Sequence, residues 1–196
     1  HKFVTLVDSG DFMQGSELGA ISKGKHLVSL MNDADYDFSI LGNHEFDYGM
    51  DALMEALKMA NFDILASNIH YIGSKSTSII DYTIPYKIND YDGTKIAFLG
   101  VSTPLTISSS TPSRFMENGE LAYTFDGLNK AEDLYESVQK TVNKVKNEEK
   151  ANYVIVLSHL GFEEEGHRNY KYSSQALASN TKGIDAILDG HSHTVM

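Results

Sequence analysis

Short apolar runs punctuate the chain and alternate with longer amphipathic stretches. The runs at 3–7, 38–41, 64–66, 96–101, 153–157 and 186–188 are continuous rather than alternating in polarity, the pattern of strands covered on both faces. Residues 17–32 and 50–60 suit helices. The longest helix is expected near 129–149, where Leu128, Ala131, Leu134, Val138, Val142 and Val145 recur every three or four positions. Asn129 followed by Glu132 resembles a capping box at its start. Asp92-Gly93, between apolar stretches at 86–88 and 95–99, marks a hairpin. The Ser/Thr/Pro-rich stretch 102–114 reads as a surface loop. The alternation of strand and helix patterns predicts an α/β sandwich with a mixed central sheet and helices on the outer faces.

Composition narrows the chemistry more than the fold. With 196 residues, 41% hydrophobic and 22% charged, the chain has the make-up of one globular domain. No apolar run reaches the length of a membrane span, and no leader peptide is visible. The formal charge of −11 disfavours a nucleic acid polymer as partner, since such binding runs through phosphate contacts. A small phosphorylated substrate is compatible with that charge if bound cations supply local positive potential. The chain has no cysteine; any metal must therefore be held by oxygen and imidazole.

Four of the predicted strands run straight into loops rich in such ligands. The first leads to Asp8-Ser9-Gly10-Asp11, the second to Gly42-Asn43-His44-Glu45-Phe46-Asp47, the third to Ser158-His159, and the last to Asp189-Gly190-His191-Ser192-His193. Ligands of α/β sheets bind at the carboxyl ends of strands, so these loops should share one rim. Glycine precedes Asp11, Asn43 and His191, which suits tight turns and close backbone approach.

The set GD, GNHE, SH and GHSH, in this order, resembles the calcineurin-like metallophosphoesterases. The longer stretches DSGDFMQGS at 8–16, LGNHEFDYG at 41–49, LSHLGF at 157–162 and IDAILDGHSHT at 184–194 resemble the 5'-nucleotidase and UDP-sugar hydrolase branch. The resemblance implies a metal-dependent phosphoester hydrolase, releasing phosphate from nucleoside 5'-monophosphates through a metal-bridging hydroxide. It implies two divalent ions, with Zn, Mn, Fe or Co suiting the mixed ligand set. Asp11 would bridge the metals; Asn43, His159 and His191 would complete one, and His193 would sit on the other. Asn43 and His44 would contact the substrate phosphate, and Asp47 would pair with His44 as its catalytic partner. An extracellular, periplasmic or cell-wall location is likewise implied.

The family pattern opens with an Asp-x-His motif that has no match before Asp11. Residues 1–196 are therefore expected to be a partial domain, with one metal site incomplete, lacking the first strand, the final strands and the C-terminal substrate-binding domain. Cyclic-nucleotide or UDP-sugar hydrolysis, or a catalytically incomplete metal-binding domain, stand as alternatives. Asp8, Glu45 and Asp189 are expected to support loops. His26, His70 and His167 are expected to be ordinary histidines, and Glu163–Glu165 a solvated acidic stretch.

Overall fold

The computed structural model describes residues 3–194. In chain order the elements are α1 (Glu17–Ser22), α2 (Lys25–Asp33), β1 (Phe38–Ile40), α3 (Met50–Leu57), β2 (Asp63–Leu65), β3 (Ile69–Tyr71), β4 (Tyr86–Tyr91), β5 (Thr94–Ser102), α4 (Thr106–Ser109), β6 (Met116–Glu117), β7 (Glu120–Leu121), β8 (Tyr123–Phe125), α5 (Ala131–Asn147), β9 (Tyr153–His159), α6 (Ser174–Asn180) and β10 (Ala186–Asp189). A mixed sheet runs in the order β10-β9-β5-β4, parallel except for the β4–β5 hairpin. β1 and β2 form a separate parallel pair. Single bridges from Val7 to Phe38 and from Leu65 to Ile84 widen that pair on either side. No helix among the described residues is long and apolar enough to cross a membrane.

The two sheets pack face to face. Phe38, Ile40 and Leu65 of one meet Phe98 and Leu157 of the other in a buried layer, with the Phe38 and Phe98 rings 4.9 Å apart. On the outer face of the β1–β2 pair, Val28, Met31, Leu53 and Leu57 close one core with Phe46 and Phe115. On the outer face of the larger sheet, Leu134, Val138, Val142 and Val145 of α5 cover Leu99, Val101, Val154 and Val156. That helical stripe is the one its spacing predicts. The expected α/β sandwich with outer helices is present, and its sheet is divided into two. Gly100 explains how closely they approach: its carbonyl accepts from Ser67 N at 2.8 Å, and a Cβ there would lie 2.2 Å from Leu65 O.

Several local expectations need correction. The segment 17–32 is two helices, not one. Lys23 and Gly24 take φ of 51° and 82°, and Met13 fills the space where a Gly24 side chain would stand. Packing of Met13 therefore overrides the helical pattern. The capping box at Asn129 does not form; α5 starts after Lys130 without a side-chain cap, and Glu132 and Asp133 face the positive end of the helix instead. Residues 3–7 make only the Val7 bridge rather than a strand. Leu6 N there bonds Asp37 Oδ2 at 2.8 Å, so a side chain satisfies a group that a ladder would otherwise pair. Finally, 102–114 is only partly a surface loop. Ser102, Thr103 and Thr106 are buried, and Ser102 exchanges backbone bonds of 2.8 and 3.0 Å with the Asn68 amide. Its polar composition conceals burial because the buried backbone is paired with side chains. The Asp92-Gly93 hairpin forms as predicted, with φ of 52° and 89°.

Gly100→Ala should destabilise the protein by about 2 kcal/mol or more, because backbone rather than a mobile side chain must yield. A thermal melt indistinguishable from that of the unmutated protein would refute this close approach of the sheets.

Candidate active site

The loops at the carboxyl ends of the strands interlock because three glycines leave room for them. A Cβ on Gly10 would stand 2.6 Å from Gly42 N and 2.9 Å from His159 Nδ1, and one on Gly42 would stand 2.3 Å from Asp11 Oδ1. A Cβ on Gly190 would come within 3.1 Å of Ser9 O. These are the glycines that precede Asp11, Asn43 and His191. Asp11 and His191 themselves take positive φ, 68° and 79°, a costly backbone state for residues with a side chain and one that clusters at functional sites.

Glu45 fixes the first two loops together. It is wholly buried and accepts from Asp11 N at 2.7 Å, Gly42 N at 2.7 Å and Met13 N at 3.1 Å. Burial, reinforced by the negative charge of Asp11, raises its pKa to about 7. Asp8 accepts from Gly10 N at 2.9 Å and Ser39 Oγ at 2.7 Å. Asp189 accepts from Leu160 N and Gly161 N at 3.1 and 3.2 Å. All three support loops, as their sequence context suggests.

Asp11, His159 and His191 each place a ligand atom within 4.8 Å of the others. His159 Nδ1 lies 2.6 Å from Ser9 O, so it carries the proton and donates to that carbonyl. This leaves Nε2 as a lone pair in the neutral ring. That lone pair stands 3.0 Å from Asp11 Oδ2, and His159 Nε2 is buried without a hydrogen bond. Two electron-rich atoms facing each other at this distance need a cation or proton between them. Ligands about 2.1 Å from one ion stand about 3 Å apart when adjacent. Asn43 Oδ1, on the loop that Glu45 ties to that of Asp11, is also buried without a partner. Its neighbour His44 donates its backbone N–H to Asp11 Oδ1 at 2.8 Å. Asp11, His159 and His191 therefore fit a divalent ion, with the unpartnered Asn43 Oδ1 as a candidate fourth ligand. Where a proton rather than an ion lies between His159 and Asp11, the pair shares it: burial would lower the His159 pKa and raise that of Asp11, but their mutual contact raises the first and lowers the second. Burial, with His159 nearby, lowers that of His191, favouring the neutral imidazole a metal requires.

His44 Nδ1 and Asp47 Oδ2 are 2.6 Å apart. Burial alone would lower the His44 pKa, but the bond and charge of Asp47, helped by Asp11, raise it overall. Sequence reasoning did not single out Ser110 and Arg114, which also reach this pair. Ser110 Oγ donates to Asp47 Oδ1 at 3.2 Å, and Arg114 NH1 lies 3.7 Å from the same oxygen. A polar surface loop carries no periodic signal pointing to such a contact. His193 is exposed and is not among the clustered ligands. With His191, it lines a groove of 660 Å³ running along β10 past Phe162 and Ile187. His70 and His167 pair with Asp126 and Glu163 away from this rim.

A family model described as bacterial capsule synthesis protein PGA_cap matches residues 5–196. The snake venom 5'-nucleotidase of Gloydius brevicauda is 35% identical over all of this chain, which covers 30% of that protein. The crystal structure of a 5'-nucleotidase precursor from Thermus thermophilus superposes with a TM-score of 0.76 at 30% identity, over 97% of this chain and 33% of that one. The calcineurin-like phosphoesterase YfkN from Bacillus subtilis gives 0.73 at 31% identity, over 97% of this chain and 58% of that one. The chain thus spans about a third or less of the first curated relatives it matches.

Elemental analysis after dialysis should find one tightly held transition-metal equivalent per chain. His159→Ala or His191→Ala should abolish it and His193→Ala should not. Two full equivalents, or none, would refute this ligand set. In metal-free protein, Asp47→Asn should lower the His44 pKa by removing the bond and charge that raise it, so the ring would lose its proton at lower pH. An imidazole titration followed by NMR reads this directly, and an unchanged or higher value would contradict the pairing.

Proposed function

Because the chain belongs to the metallophosphoesterase-type family described as bacterial capsule synthesis protein PGA_cap, we propose that it is the metal-binding part of a phosphoester hydrolase that releases phosphate from nucleoside 5'-monophosphates. The observation that carries this reading is the facing pair His159 Nε2 and Asp11 Oδ2, beside the unpartnered Asn43 Oδ1. The relatives that match across the chain and are named 5'-nucleotidases give the substrate class. The family description mentions capsule synthesis, but hydrolysis suits this ligand set and the adjoining imidazole better.

Divalent ions in such a site supply Lewis acidity, activating a water and neutralising charge on the phosphoryl oxygens. Asp11, Asn43, His159 and His191 would hold one of the two, and His193 would serve the other. Asn43 and His44 meet the phosphoryl group. The Asp47 bond occupies Nδ1 of His44 and leaves Nε2 for the substrate. With Nε2 protonated, His44 donates to the leaving alkoxide as the ester P–O bond breaks, while the attacking water forms the new P–O bond and yields its proton to solvent. Asp47 keeps the ring in the tautomer and orientation this requires. Glu45 keeps Asp11 and Asn43 in register without touching substrate. A C-terminal domain binding the nucleoside, and a location outside the cytoplasm, complete the reading by similarity to these relatives.

In the metal-loaded, natural full-length protein, phosphate release from nucleoside 5'-monophosphates should be measurable. His44→Ala should lower kcat on the order of 100-fold with metal content intact. Metal-replete protein that releases no phosphate would refute the function. Loss of metal in His44→Ala would refute the role given to that residue.

A further inference from the structure

The imidazole of His44 is 42% exposed in its side chain, and the bond from Nδ1 to Asp47 Oδ2 is its principal anchor. An imidazole held at one atom can swing with its partner, so the orientation of Nε2 is only as well defined as the Asp47 carboxylate. That carboxylate is held from the opposite side. Its second oxygen accepts from Ser110 Oγ at 3.2 Å and faces Arg114 NH1 at 3.7 Å. The same guanidinium nitrogen donates at 2.9 Å to the carbonyl of Phe46, the residue before Asp47. Arg114 thus engages both the backbone leading into Asp47 and its side chain. Arg114 is itself held by the chain around it. The next residue, Phe115, is fully buried and its ring lies 4.9 Å from that of Phe46. The aromatic contact therefore ties the two segments that carry Asp47 and Arg114.

We propose that Ser110 and Arg114 are positioning residues that hold Asp47, and through it His44, in the orientation for proton delivery to the leaving group. The proposal rests on the general-acid reading of His44. The 3.7 Å separation of a partly exposed pair makes a small contribution to stability. Its effect falls on orientation, where small misplacements of a reacting group cost rate steeply.

The test exploits leaving groups. A nucleoside alkoxide needs a proton as it departs, whereas 4-nitrophenolate is stable enough to leave without one. Arg114→Met, which keeps the apolar stem, and Ser110→Ala should be made singly and together in the metal-loaded, natural full-length protein, beside His44→Ala. For the double variant, kcat for a nucleoside 5'-monophosphate should fall about 10-fold, with KM, metal content and melting temperature little changed. The kcat for 4-nitrophenyl phosphate should stay within about twofold, and His44→Ala should show the same asymmetry more strongly. Equal losses on both substrates, or none on either, in the double variant while His44→Ala keeps its asymmetry would overturn the positioning role alone. Symmetric losses in His44→Ala would overturn the general-acid reading and this proposal with it.

Discussion

Glu45 accepts backbone N–H groups from Asp11, Gly42 and Met13 while having no contact with solvent, and the geometry of the rim depends on this joint. A buried carboxylate is costly unless its oxygens are satisfied. Here the donors come from two loops that are separated in sequence and would otherwise have buried N–H groups of their own to pair. The same side chain therefore meets a local need in each loop and fixes their relative position. With the joint in place, Gly42 can lie against the Asp11 carboxylate.

The strain at Asp11 is also held in place by this joint. Asp11 and His191 occupy left-handed backbone conformations, each costing on the order of 1 kcal/mol or more. Neither is a turn residue chosen for ease. Each is followed or preceded by groups locked from outside: Asp11 through its own N–H on Glu45, and His191 through Gly190, whose N–H bonds Ser158 O at 3.1 Å. The fold thus places strain where ligand direction matters and distributes its support over neighbouring strands.

Much of this was legible in the sequence because metal-site chemistry restricts residue type. Asp11, Asn43, His159 and His191 stand out as candidate ligands at strand ends, and glycines beside three of them signal the close approach that the backbone shows. The pairing of His44 with Asp47 follows from the motif rather than from any periodic rule. What remained hidden depends on tertiary contact. The break at Lys23-Gly24 is set by Met13 from another segment. Glu45 reads as a loop-supporting acid, but that it joins two loops appears only when its three donors are seen. Residues 102–114 have the composition of a loop, yet they bury Ser102 against Asn68 and carry Ser110 and Arg114 to Asp47. A strand at 3–7 was expected from apolarity alone, but apolarity cannot reveal that its pairing ends after one bridge.

The bond from His159 Nδ1 to Ser9 O joins residues 150 positions apart. A contact of such long sequence separation carries a loop-closure cost that the packing of both sheets must offset. The ligand cluster therefore exists only in the assembled chain. An ion that binds there can act only on an already assembled chain, so it slows escape from the native state more than it speeds arrival. Metal supply would then govern how long the molecule persists once made, giving it a lifetime tied to the ions around it.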